Sequence, residues 1–180
     1  MKKFLSFFGE ITKIVIIALI IVIPIRYLVF QPFFVKGQSM EPNFADGNYL
    51  IIDELSYKFT EPKRGEVVVF KYPNDLSQRY IKRIIGLPGE RIEVNNGKVV
   101  VYNEEGAQVL EETGYLSSSF TPGTVNLTLG EEEYFVLGDN RAASSDSRRW
   151  GSLPEDDIIG KVFLRAWPFA SFSLIELPGY

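Results

Sequence analysis

The sequence predicts a mostly β protein, with antiparallel sheets forming a sandwich or a partly closed barrel behind one N-terminal transmembrane helix. Three observations predict it. The 180 residues hold a single membrane-length apolar run, near the start. After it come short segments rich in β-branched and aromatic residues, set off by Gly, Pro, Asn and Asp. No later segment repeats at helical spacing beyond a turn at Pro154–Asp157. Many short strands without helices to cover them imply sheet packed on sheet. The expected organisation is a cytoplasmic N-terminus (1–12), a membrane anchor (13–31) and an extracytoplasmic β-domain (32–180).

The anchor comes first. Ile14 to Ile25 is apolar without interruption, Arg26 breaks the run, and Tyr27 to Phe30 resumes it. A helix from Ile14 to Phe30 would span about 25 Å at ~1.5 Å per residue, slightly short of a hydrocarbon core of about 30 Å. Lys13 and Arg26 can snorkel to the headgroups, and Tyr27, Phe30, Phe33 and Phe34 suit the interface. A cleaved leader is the rival reading, but bulky aromatics stand where a small-x-small cleavage site belongs. Lys2, Lys3 and Lys13 precede the run, which places the N-terminus in the cytoplasm.

The strands follow. Asn48–Asp53 is bounded by Asp46-Gly47. Glu66–Tyr72 starts after Arg64-Gly65 and is stopped by Pro73-Asn74. Arg79–Ile85 ends at Gly86-Leu87-Pro88-Gly89. Arg91 to Tyr102 reads as a hairpin, since Ile92 and Val94 alternate before Asn96-Gly97 and Val99 and Val101 after it. Asn-Gly is a favoured two-residue hairpin turn. Val125–Leu129, Tyr134–Leu137 and Ile158–Leu164 complete the set.

Composition excludes several chemistries. The chain has no histidine and no cysteine. That removes the Ser-His-Asp triad, thiol nucleophiles and disulfides, and leaves a metal site without its usual ligands. No cofactor is implied. A net charge of −4 without a basic stripe gives no reason to expect nucleic acid. A hydrolytic base, if there is one, is Lys, Asp, Glu or Tyr.

Ser39 lies in Val35-Lys36-Gly37-Gln38-Ser39-Met40-Glu41-Pro42, directly after the apolar run. Gly37 permits a sharp turn and Pro42 blocks a helix, so Ser39 sits on a constrained loop. It is either a solvated linker serine or a presented nucleophile. Lys82 lies in Tyr80-Ile81-Lys82-Arg83-Ile84-Ile85. In a strand, Tyr80, Lys82 and Ile84 share one face and Ile81, Arg83 and Ile85 the other. Lys82 is then either solvated on an outer face or desolvated and able to take a serine proton. Gly138 to Arg148 is dense in hydroxyls and alternating charge, which suits a polar loop or part of a site.

Taken together these segments resemble the bacterial type I signal peptidases of the compact, Gram-positive-like kind. The resemblance covers nearly the whole chain: the anchor, Ser39-Met40-Glu41-Pro42, Arg64-Gly65-Glu66-Val67-Val68, Tyr80-Ile81-Lys82-Arg83 with Gly86-Leu87-Pro88-Gly89, and Gly138-Asp139-Asn140-Arg141 through Ser144, Asp146 and Arg148. It implies a signal-peptidase-like β-fold and a serine–lysine dyad that removes signal peptides from preproteins after Ala-x-Ala-like sites. The work would be done at the lipid surface, in functional proximity to the protein-export channel. By position, Ser39 would be the nucleophile and Lys82 the general base. Ser144 would bond and orient the lysine amine. Asp146 would pair with Arg148, and Asp139 with Arg83. Val35, Gly37, Tyr80 and Ile81 would border the substrate pockets. Some members carry a serine donor for the oxyanion where this chain has Gly37, so the second donor is open. Two rivals stand beside this reading: a self-cleaving regulatory Ser/Lys peptidase, and a non-catalytic anchored β-domain that binds a protein partner.

Overall fold

The computed structural model describes residues 7, 9–20, 30–116 and 118–179. Residues 9–20 form helix α1, with Ile14, Ile16, Leu19 and Ile20 exposed. Among the described residues no helix is long and apolar enough to cross a membrane. The second half of the expected anchor, residues 21–29, lies outside the described residues. Phe30, expected to end the anchor helix, instead opens a strand.

The large sheet contains β1 (Phe30–Phe34), β2 (Tyr49–Asp53), β3 (Val67–Tyr72) and β4 (Asp75–Gly86). The small sheet contains β5 (Arg91–Asn95), β6 (Lys98–Asn103), β7 (Gly106–Val109) and β8 (Val125–Thr128). The chain then returns to the large sheet with β9 (Glu133–Leu137), β10 (Leu153–Pro154), β11 (Ile158–Trp167) and β12 (Ser173–Leu174). The order is β1–β2–β11–β3–β4–β9–β10, with β12 added beside β11, and β7–β6–β5–β8. All of these pairings are antiparallel. The large ladder begins on β1 and ends on β10 without pairing them, so among the described residues the sheets stay open and no barrel closes.

The expected strands are all present, and the differences are informative. Pro73-Asn74 stops β3 at Tyr72, as expected. It makes the turn of the β3–β4 hairpin, in which Tyr72 faces Asp75 and Lys71 faces Arg79. At Asn96-Gly97 both residues have positive φ, 50° and 78°, as a type I′ turn requires. Strands β1, β7, β10 and β12 were not expected, because each is short or lacks an apolar alternation. The turn expected at Pro154–Asp157 is a 3-10 turn at Glu155–Asp157. A short helix α2 (Ser147–Trp150), not expected either, follows the polar loop and is capped by the Asp146 side chain.

Three apolar clusters hold the domain. Ile92, Val94, Val99 and Val101 turn the small sheet's apolar face onto Ile85, Phe135 and Leu137 of β4 and β9. Val68, Phe70, Ile84, Tyr134 and Val136 form a second cluster, against which Tyr80 and Trp150 pack. Val35, Met40 and Phe44 close a third with Leu50, Ile52, Val67, Val69 and Ile81. That third cluster matters most for the site, because it seats the loop that carries Ser39.

Deleting residues 1–29 removes no member of these clusters and leaves β1 intact. The expected outcome is a folded β-domain with a cooperative thermal melt by circular dichroism. A random-coil spectrum would place the domain's start further upstream.

Candidate active site

Ser39 sits on a loop closed at its base by backbone bonds. Val35 N–H donates to Asn48 O (2.9 Å), and Gly47 N–H donates to Val35 O (3.0 Å). Gly37 takes φ +85°, a conformation glycine adopts without penalty, and its N–H donates to Asp46 Oδ1 (2.7 Å). Met40 and Phe44, both buried, pin the far side of the loop into the core, and Phe44 N–H donates to Met40 O (2.8 Å). The serine is therefore held between two anchors.

Lys82 is on β4 and is only 3% exposed. Its Nζ lies 2.7 Å from Ser39 Oγ, hydrogen-bonded to it, and donates to Ile81 O at 2.7 Å. The Tyr80 ring centroid is 5.5 Å from Nζ, on the face of the strand that Lys82 shares. Of the two sequence readings of Lys82, the solvated outer face is ruled out. Burial pushes the amine pKa down to about 8, against the opposing pull of the Asp146 and Asp139 charges.

Both aspartates are occupied. Arg83 donates from Nε to Asp139 Oδ1 (2.9 Å) and from Nη2 to Oδ2 (2.6 Å). Arg148 donates from Nε to Asp146 Oδ1 (2.8 Å) and from Nη2 to Oδ2 (2.8 Å). Such two-pronged pairs are the strong form of the interaction. The polar loop is tied to the Ser39 loop as well. Asn140 N–H donates to Ser39 O and its Nδ2 to Gln38 O, both at 3.0 Å. Asn43 Nδ2 donates to Asp139 Oδ2 at 2.8 Å. At Gly138 a Cβ would overlap Ser39 O and Ser144 Oγ, so only glycine allows this approach.

A groove of about 700 Å³ opens over the pair, bordered by Phe33, Phe34, Gly37, Tyr80, Ile81 and Ala143 among others. One expectation needs correction. Val35 does not line this groove; it is 1% exposed and packs beneath it with Ile81 in the core. The Ser144 hydroxyl is buried and has no hydrogen-bond partner among the described residues. Ile81 O and the Tyr80 ring contact the amine.

The sequence reading missed Asn43, Asp46 and Asn140 as loop clamps. It also missed the buried pair of Arg141 with Glu112, whose Nη1 to Oε2 distance is 2.7 Å. Asn140 and Arg141 lay inside a segment already singled out. Nothing local marks Glu112, which comes from the segment after β7. Among the described residues no cluster of His, Cys, Asp and Glu could hold a metal.

The family profile described as signal peptidase, peptidase S26, matches residues 8–167. A signal peptidase I of Leptolyngbya laminosa is 34% identical over 164 residues, covering 87% of this chain and 78% of that one. Signal peptidase IB of Staphylococcus aureus is 33% identical over 169 residues, covering 87% of both. A crystal structure of a signal peptidase I from Enterococcus faecalis V583 covers 57% of this chain and 97% of that one. Its identity is 30% and its TM-score 0.48, a likeness too partial to bear on the fold. A profile that spans most of the chain, together with relatives of this similarity, decides the matter: the chain belongs to the signal peptidase, peptidase S26, family and is a serine endopeptidase.

Proposed function

We propose that this serine endopeptidase removes N-terminal signal peptides from exported preproteins with a Ser39–Lys82 dyad, cutting after Ala-x-Ala-like sites. The observation that carries the reading is the 2.7 Å contact between Ser39 Oγ and a lysine amine that is 3% exposed. An amine held near pKa 8 is partly neutral at physiological pH, whereas a solvated lysine is not.

The neutral Nζ accepts the Ser39 Oγ–H proton as Oγ attacks the scissile carbonyl. The Ser39 N–H makes no hydrogen bond among the described residues and stands beside the attack point, so it serves the oxyanion. Gly37 N–H is already given to Asp46, which leaves the second donor to substrate or water. The Lys82 ammonium then returns its proton to the leaving amine. Water, deprotonated by the same amine, hydrolyses the acyl-enzyme.

The same reading places the enzyme on a membrane through the apolar run that precedes β1, with the β-domain on the outer face beside the route by which preproteins emerge. The exposed rings of Phe34, Tyr49, Trp167 and Phe169 support it. Phe34 packs on Tyr49 (6.2 Å) and Trp167 on Phe169 (4.8 Å), while Trp167 pairs with Tyr49 across β11 and β2. Such a ring cluster suits a lipid headgroup layer.

Turnover is expected to rise with pH through an ionisation near 8, because the neutral amine is the active form and lies above that value. Lys82→Met and Ser39→Ala are each expected to lower kcat/KM on a signal-peptide substrate by at least about 10²-fold. The folded lysine holds its proton less tightly than the unfolded one, so its contribution to stability grows as pH rises from about 8 to 10.5. Below that window the buried charge costs stability, and Lys82→Met is expected to melt no lower than the wild type at pH 7. A folded Lys82→Met protein with near-normal turnover would sink the dyad.

Specificity gives a separate check. The groove beside Ser39 is bordered by Ile81, which is only 4% exposed, and the small-residue pocket is assigned there. Substrates with Ala before the cut are expected to be cleaved well above those with Phe, read as kcat/KM on a matched peptide series. Equal rates would remove the small-residue site.

A further inference from the structure

A second cavity, of about 520 Å³, lies against the same catalytic loops. Glu41 and Pro42, just after the nucleophile, form one wall, and Asn140 to Ala142 another. Phe120 and Pro122 approach from the segment that leaves the small sheet. We propose that this cavity receives the first residues after the scissile bond, and that Glu41 gives it a preference for Lys or Arg there. This rests on the dyad reading of Ser39 and Lys82.

Position is the first support. The large groove carries the Phe33, Phe34 and Ile81 surface and is the place for the acyl half of the substrate. The leaving half departs on the other side of Ser39. The Asn140 turn, which bonds Ser39 O through its N–H and Gln38 O through its side chain, also walls the second cavity. The two spaces are lined by neighbouring residues of the same loops, Ser39 and Ala143 on one, Glu41 and Ala142 on the other.

Charge is the second support. Of the charged residues around the cavity, Asp139 is paired with Arg83 and Arg141 with Glu112. Among the described residues Glu41 has no ion pair. Glu41 is partly exposed and left free to pair with a cationic ligand. Shape is the third. Phe120 is 61% exposed, and with Pro42 and Pro122 it offers apolar surface to the methylene stem of a long cationic side chain. The ring is held in place: it lies over Gly97, where a Cβ would overlap it, and Thr121 N–H donates to Gly97 O at 2.8 Å. A ring and a carboxylate that line one cavity suit a cation.

The test uses the full chain in detergent micelles. Peptides share one Ala-x-Ala acyl half and carry Lys, Ala or Glu at each of the first three leaving positions. At one of these positions the wild type is expected to favour Lys over Glu by at least about twofold in kcat/KM at low salt. The ratio is expected to shrink as salt screens it. Glu41→Gln is expected to bring the ratio to one, and Glu41→Lys to invert it. Each ratio is taken within one variant, so a loss of folded protein cancels. Cleavage that ignores the leaving residues, or a ratio unchanged in Glu41→Lys, overturns the subsite and leaves the dyad standing. Absence of any cleavage above the Ser39→Ala background overturns the proposed function and the subsite with it.

Discussion

Burying the Lys82 amine without giving it a carboxylate is the constraint that the rest of the site obeys. The lysine is 3% exposed, and its contacts are neutral: Ser39 Oγ, the Ile81 carbonyl and the Tyr80 ring. Lowering its pKa from 10.5 to about 8 corresponds to about 3 kcal/mol of preference for the neutral form. Asp139 and Asp146 stand close enough to pull the other way. Each is gripped by its own arginine through two hydrogen bonds, so neither seeks the lysine. Breaking one buried pair by removing its arginine would leave a bare charge beside the amine, which is far costlier than the pair itself is worth.

The same aspartates fix geometry. Asp146 accepts from Gly138 N–H (3.1 Å) and caps α2, while Asp139 accepts from Asn43 of the Ser39 loop. Three segments distant in sequence thus share two carboxylates. Charge neutralisation and loop placement are one arrangement here. Gly138 lets the loops come close enough for it, since any side chain there would meet the Ser39 carbonyl.

The small sheet contributes more than covering the core. The segment after β7 brings Glu112 to Arg141 in a pair whose side chains are each 3% exposed, and Thr121 and Gly138 O also bond that guanidinium. Arg148 reaches Pro122 O at 2.9 Å. The catalytic loop is therefore held from both sides, by the Ser39 loop on one and by the 112–122 segment on the other. Fully satisfied buried networks of this kind favour a single geometry over alternatives.

The sequence alone determined the strand-and-turn character, because alternation and Asn96-Gly97 act locally. It also narrowed the base, since a chain without histidine leaves few candidates. The identities of Ser39, Lys82 and both aspartate–arginine pairs were legible only as a resemblance carried by several segments in order. Whether Lys82 faced water or the interior was not legible from its strand, because both faces of Tyr80–Ile85 read alike. Only the tertiary structure decided that. It set the late strand β11 between β2 and β3, laid the Met40–Phe44 loop against the sheet, and brought Ser39 Oγ onto an amine that is 3% exposed. Glu112 and Asn43 belong to the same class. Their roles come from contacts between segments far apart in the chain, and no local pattern encodes where a distant partner will land.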